Sequence, residues 1–340
     1  MATIKRALNV DTRFRSNYYS SRSTDFVFNI PYKFENVTSM SVATYELPLT
    51  YYAISQQYEN NCIIFQWTTG TGNYDKQYTL LIPDGNYNAS FQSGNGALIE
   101  NTINGILKGT QLVSDTGLAY TVDRTSGRSI FACNSAVDYN GNLITNSFTG
   151  SMRIVFNARA SIDRNVDSNS VTGTTNTSFQ SDTRPLPLFL GWQLGYRTAI
   201  YEIGGGLDTN GSTNPGIPQS AVSEGICLIT GPQYVFLCID DYNNNVNNYY
   251  ASAYGSSTIA PNIIARLNIK QQINSAGAYG VVSGESLSTS LTYSREYFGP
   301  VDIQRIRITL VDDFGRVLDL NNMDWSFALM FECVYSSSNA

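Results

Sequence analysis

The chain has 340 residues, 42% of them hydrophobic. It is long enough for one large or two ordinary domains and can remove roughly 75% of its unfolded surface from water. Charged residues make up only 14%, against about 25% in an ordinary domain, and the net charge is −6; Asn, Ser, Thr, Gly and 23 tyrosines take their place. Histidine is absent, which excludes Ser-His-Asp and Cys-His catalysis and removes the commonest metal ligand.

Residues 1–24 carry Lys5, Arg6, Arg13, Arg15 and Arg22 against a single acid, Asp11, and read as a basic extended N-terminal arm. Arms that bind nucleic acid carry denser charge, and the rest of this chain is acidic. The favoured reading is therefore arginines that pair with carboxylates of a neighbouring subunit. Strand patterns follow. Phe26, Phe28 and Ile30 alternate with Asp25, Val27 and Asn29, and Pro31 is expected to end the run; Met40, Val42 and Thr44 form a second alternation, and Cys62–Trp67 is a third run.

The next stretch changes character. Tyr78–Ile82 predicts a strand, and Pro83-Asp-Gly-Asn86 a turn. Leu98, Ile99, Thr102, Ile103, Ile106 and Leu107 fall on one face at helical spacing, with Asn95 as N-cap and Gly109 as the stop. Leu118–Asp123 and Ser129–Cys133 flank Arg124-Thr-Ser-Gly127 as a hairpin, and Met152–Phe156 adds a strand. These pieces predict an inserted α+β subdomain carrying one helix. Residues 157–184 and 204–224 are rich in Ser, Thr, Asn, Asp and Gly and read as surface loops around an apolar anchor, Pro187–Arg197.

The β pattern returns at Tyr234–Ile239, apolar on both faces and so expected at the centre of a sheet, and again at Ile263–Ile269. Ile306, Ile308 and Leu310 share a face, but Val301 and Ile303 are out of phase with them, which predicts a bulge. Trp325, Phe327, Leu329, Phe331, Cys333 and Tyr335 alternate without a break. Because strong strand patterns lie at both ends of the chain, the ends are expected to meet in one sheet.

Little in the chain suggests chemistry. The five cysteines (Cys62, Cys133, Cys227, Cys238, Cys333) are scattered without Cys-x-x-Cys spacing, which predicts free thiols and a reducing compartment rather than zinc or a disulfide scaffold. Asp240-Asp241 and Asp312-Asp313 are adjacent carboxylates, yet Val246 and Ser252 stand where a calcium loop needs Gly and Glu, so a polar turn is the better reading. Asp313-Phe-Gly315 lacks the companions of a kinase, and Gly94 and Gly96 lack the third glycine of a dinucleotide fingerprint. No catalytic, cofactor-binding or metal-binding residue is assigned, and the chain is read as not an enzyme. No signal-peptide core follows Met1, and no apolar run reaches the ~18 residues of a membrane span, so synthesis in the cytoplasm is expected.

Several segments, taken in order, resemble one family. Asn9-Val-Asp-Thr-Arg-Phe-Arg-Ser-Asn-Tyr-Tyr19 with Ser23-Thr-Asp-Phe26 and Asn36-Val-Thr-Ser-Met40 is similar to the opening of minor capsid proteins of nucleocytoplasmic large DNA viruses, the mimivirus and algal-virus groups above all. Ile82-Pro-Asp-Gly-Asn-Tyr87, Leu190–Arg197, Gly231-Pro-Gln-Tyr234 with Asp240–Asn243, Leu310–Arg316 and Asn321–Phe327 resemble the same family. The resemblance implies a jelly-roll-like β-sandwich and a structural role in the virion (giant-virus capsid), assembled in the host cytoplasm. It implies as partners the major capsid protein, other minor capsid proteins and the inner membrane such particles enclose. It supplies no catalytic residue.

The expected organisation is a mainly β fold. Residues 1–24 form the arm, 25–73 and 225–340 a jelly-roll-like sandwich made by the N- and C-terminal parts, 74–200 the inserted subdomain, and 201–224 a flexible loop. Arg13, Phe14, Arg15 and Tyr18 are expected to anchor the N-terminal segment, on the C-terminal strand of the same chain or on a neighbouring subunit. With Tyr19 and Arg22 they form the candidate interface. The rival reading is a glycan-binding sandwich with Trp67, Trp192 or Trp325 as stacking platforms, although the alternation favours core packing for Trp325.

Overall fold

The structure, a computed structural model, describes residues 2–70, 74–89, 98–134, 148–158, 182–204, 219–243, 253–254, 257–258, 262–269, 281–285 and 294–335. In chain order the first strands are β1 (Thr3–Asp11) and β2 (Asp25–Pro48). Next come β3 (Cys62–Thr68), β4 (Lys76–Leu81), helices α1 (Ile99–Leu107) and α2 (Gln111–Thr116), β5 (Ala119–Val122), β6 (Arg128–Ala132), β7 (Ser151–Val155), a helical turn at Leu190–Gln193, β8 (Ile200–Gly204) and β9 (Ser220–Ile226). The chain closes with β10 (Tyr234–Asp240), the two-residue strands β11 (Ala253–Tyr254) and β12 (Ser257–Thr258), β13 (Ile263–Asn268), β14 (Val281–Glu285), β15 (Ser294–Val311) and β16 (Ser326–Val334).

The fold is mainly β, as expected, and divides into two compact units: residues 1–51 with 232–340, and residues 52–231. The boundary differs from the expected one. β3, an apolar run assigned to the sandwich, pairs with β4 and β7 inside the second unit. β8 and β9 lie partly within 201–224, the stretch read as a flexible loop. Asn95, residues 244–252 and most of the stretch 157–184 lie outside the described residues.

In the first unit the two ends of the chain do meet. The sheet runs β1-β16-β2-β15-β10-β13, all antiparallel, with β14 on β2. β10 occupies the central position its two apolar faces predicted. β16 alternates buried and half-buried residues along its whole length, with Trp325 and Phe327 stacked at 4.7 Å inside the core. Burying each such side chain stabilises the unit by about 1.5–3 kcal/mol.

The sheet is not flat. Asp240 pairs with Arg307, and in a straight strand Arg307 would stand about 40 Å from Arg295. Nevertheless Asp241 makes an ion pair with Arg295, so β15 must bend sharply between them. The bend falls where the β2–β15 register slips, from Glu296 to Arg305, the bulge that the phase change had predicted. Pro31 does not end a strand, contrary to expectation. It sits in the gap between the Asn29–Arg305 and Phe34–Ile303 pairs, where no ladder hydrogen bond is asked of it. Tyr45 of β2 then donates from its hydroxyl to the carbonyl of Asn268 on β13, 3.4 Å away. Two halves of one bent sheet thus enclose one core, a sandwich closed by the N- and C-terminal parts as the jelly-roll-like expectation required.

Two buried carboxylates hold the turns of this unit. Asp241 accepts from Arg295 at 3.3 Å, from the Tyr297 hydroxyl and from the Asn243 N–H, while Arg295 also donates to the Asn262 carbonyl at 2.9 Å. Both charged side chains are almost wholly out of water. Burial and the neighbouring Asp241 carboxylate push the Tyr297 phenol far up. Asp312 closes the Asp312–Arg316 turn by accepting from the Phe314 and Arg316 N–H groups and from the Arg316 guanidinium at 2.8 Å. Both residues are structural, in line with the polar-turn reading.

Asp313 is different. Burial, with the Asp312 charge beside it, pushes its carboxyl up to about 6 from 3.8. The folded protein therefore binds more protons than the unfolded chain between those two values. Stability falls as pH rises through that window, and the full cost is present above it. Discounted for solvent screening, the cost is about 1–2 kcal/mol. Asp313→Asn should raise the urea midpoint near neutral pH and flatten its dependence between about pH 4 and 6. Equal midpoints for the two proteins at both pH values would refute this.

The second unit contains a four-stranded sheet, β4-β3-β7-β8, and a three-stranded one, β5-β6-β9. Phe65 of the first meets Phe131 of the second at 5.5 Å, edge to face, in a core shared with Phe156, Tyr196 and Tyr120. The predicted hairpin forms: β5 and β6 pair, and Gly127 turns at φ +70°. α1 buries Ile99, Ile103 and Leu107, and Gly109 follows its end at φ +77°. The expectation of one helix needs correction. α2 is a second, capped by the Thr110 hydroxyl and ended by Gly117 at φ +61°, and Leu190–Gln193 adds a further turn. Six residues are too few for periodicity to announce a helix.

Candidate protein-protein interface

The N-terminal segment is not a free arm. β1 pairs in unbroken register with β16, from Thr3–Val334 to Asp11–Ser326. Beyond it, two 3-10 turns, Thr12–Phe14 and Tyr18–Ser20, form a loop that returns to β2. The second turn opens on Asn17 in the left-handed region, which asparagine tolerates because its short polar side chain bonds locally.

Asp324, just ahead of β16, organises this loop. One carboxylate oxygen accepts from the Thr12 hydroxyl at 2.9 Å and from Arg15 at 2.5 Å, and the other from the Tyr18 hydroxyl at 2.8 Å. The Thr12 hydroxyl in turn accepts from the Trp325 N–H at 2.9 Å. Arg15 is buried and makes five hydrogen bonds, the others going to the Thr12, Tyr18 and Ser21 carbonyls and the Ser21 hydroxyl; its guanidinium lies 4.0 Å from the centre of the Tyr18 ring. The Trp325 indole N–H donates to the Ser23 carbonyl at 2.7 Å, and the Ser23 hydroxyl to the Met323 carbonyl at 2.8 Å. The bond to Asp324 holds the Tyr18 phenol above its ordinary value.

The six predicted residues therefore divide. Arg15 and Tyr18 anchor the loop on the C-terminal segment of the same chain. Arg13 is clamped on Asp11, whose carboxyl its guanidinium holds below the usual range. Arg22 is exposed beside the return to β2. Phe14 and Tyr19 point outward, 76% and 101% exposed. Two large aromatic rings thus stand in water on a loop held by hydrogen bonds. Sequence reasoning missed Asp324 as the acceptor. Its only signal is a carboxylate immediately before an apolar alternation, within the Asn321–Phe327 segment.

Two of the three alternative platforms are buried. Trp67 and Trp325 are 3% exposed, the former donating to Asp115 at 3.0 Å. Trp192 is exposed, with the Arg197 guanidinium 3.9 Å from the centre of its ring on one face. The five cysteines are free and buried, and burial pushes the Cys133 and Cys238 thiols up to about 12. Among the described residues no group of three or more acids or cysteines could hold a metal, and no helix is long and apolar enough to cross a membrane.

No family model and no curated protein matches the sequence. Among solved structures the chain is similar to the mavirus penton protein, with 9% identity and a TM-score of 0.42, over 98% of this chain and 100% of that one. It is also similar to a chain in the cryo-EM structure of the Sputnik virophage, with 13% identity and a TM-score of 0.38, over 97% and 98% of the two chains.

Proposed function

We propose that the protein is a non-enzymatic structural component of a virus particle, a minor capsid protein that cements or caps an icosahedral shell. Its partners in this reading are the major capsid protein and other minor capsid proteins, at a site near the inner membrane. The observation that carries the proposal is the union of the two segments bearing the family resemblance. Asp11–Tyr19 and Asn321–Phe327 join through Asp324 into one hydrogen-bonded platform that displays Phe14 and Tyr19. A loop already ordered before binding loses little conformational freedom when a partner covers it, and aromatic residues dominate the centres of such contacts. Scarce surface charge serves the same end, since few ions must be desolvated.

Quantitative mass spectrometry of purified particles, before and after mild shell disassembly, tests the role. A fixed ratio to the major capsid protein, with release alongside the capsomers, is expected; absence from particles overturns the proposal. The platform is tested by Phe14→Ala with Tyr19→Ala. Both rings are exposed, so the melting temperature should hold while incorporation falls about tenfold or more.

A further inference from the structure

We propose that β1 pairs with β1 of a second copy of this chain, antiparallel about a two-fold axis at Leu8, so that the sheets of two molecules become continuous. The phase of the ladder supplies the first argument. Tyr335 N–H donates to the Ala2 carbonyl at 2.9 Å and Thr12 N–H to the Trp325 carbonyl at 3.0 Å. In the unbroken register between them, the even-numbered residues of β1 bond to β16. Thr3, Lys5, Ala7, Asn9 and Asp11 consequently turn their N–H and C=O groups away from the sheet. Among the described residues no strand pairs with that side.

The second argument is how lightly this edge is guarded. Proteins blunt open edges with bulges, prolines, charged side chains or very short strands. β1 has nine residues, no proline and no bulge, and residues 2–7 are exposed. Its guards are charges alone: Lys5 and Asp11 in the outward-bonding set, of opposite sign, and Arg6 between them. At the opposite edge of the sheet, β13 has six residues, a register slip against β10 and mostly buried side chains.

Charge then selects the partner and the register. A two-fold axis at Lys5 or Arg6 would set identical cations face to face, which is destabilising. An axis at Ala7 sets Lys5 against Asn9 and Asp11 against Thr3, so neither charge gains a partner beyond the Glu332 and Arg13 that each already holds in its own chain. An axis at Leu8 adds to those pairs by setting Lys5 against Asp11 of the other copy, twice, and Ala7 against Asn9. It also brings the two Leu8 side chains together in the close, non-hydrogen-bonded pair. Leu8 packs partly against the core beside Leu329, its β16 partner, so its twin extends an apolar stripe already present. The same strand supplies both halves of the match, which favours a second copy over an unrelated strand. The inference stands independently of the shell reading.

Sedimentation of the full chain over a wide concentration range should reveal a reversible dimer. Ala7→Pro removes an outward N–H that β16 does not use, so the fold should hold, with unchanged melting, while dimerisation weakens about tenfold or more. Under mild oxidation Leu8→Cys should cross-link two copies. Lys5→Cys should not, because the two Lys5 positions are roughly 20 Å apart in this register. A monomer at every concentration, a dimer indifferent to Ala7→Pro, or equal cross-linking by both cysteines would each overturn the proposal.

Discussion

Asp241→Ala is expected to lower the stability of the first unit by about 3–5 kcal/mol, because it strands the Arg295 guanidinium without its counter-charge in a site closed to water. For a unit of this size the melting transition should fall by of order 10 °C. Tyr297→Phe, which removes only the hydroxyl bonded to the same carboxylate, should cost about 1–2 kcal/mol. Replacing both charged partners by apolar residues of similar volume should cost less than the single change, since no uncompensated ion remains. Thermal and urea unfolding of the four proteins decides it. If Asp241→Ala and Tyr297→Phe unfold together, the ion pair is not what fastens the start of β15 to the end of β10.

Asp324→Ala should release the N-terminal loop and cost about 3 kcal/mol, since Arg15, whose side chain is 5% exposed, loses its acceptor. The clearer readout is limited trypsin digestion, in which cleavage after Arg13 and Arg15 should appear well before the rest of the chain is cut. Arg15→Lys should not restore protection, because one ammonium cannot replace a fork that reaches the Thr12, Tyr18 and Ser21 carbonyls as well as Asp324. Arg13→Ala makes a useful contrast. Its bond to Asp11 is exposed, and its loss, which also removes one cleavage site, should leave Arg15 as resistant to trypsin as in the wild type. Wild-type digestion kinetics for Asp324→Ala would remove the carboxylate from its organising role.

What the sequence disclosed follows from which forces act locally. The alternation of β16 and the two apolar faces of β10 were readable because burial imposes a period of two on any strand with a covered face. The out-of-phase Val301 and Ile303 likewise revealed the bulge. β1 escaped because residues 2–7 are exposed on both faces, so no period is written into them; pairing with β16, not burial, makes it a strand. β3 was recognised as a strand but given to the wrong neighbours, since a run buried on both faces carries no mark of which sheet surrounds it. The candidate interface was half legible. A cluster of arginines and aromatics drew attention to residues 13–22, but the acceptor lies 309 positions away from Arg15, beyond any local pattern.

The pairing of β1 and β2 with β16 also has a consequence in time. Both strands are made well before the partner that lies between them, which spans residues 326–334. Among the described residues the strands of 52–231 pair only with one another, so this unit can fold while the ribosome is still working. The first unit must instead wait, with β2 bearing Phe26, Ile30 and Met40, until residues 326–334 have been made. Long-range closure of this kind is slow, and strands left open are prone to pairing with neighbouring chains. β16 therefore does more than complete the sheet: in pairing with β1 on one side and β2 on the other, it takes both waiting strands out of reach of other chains.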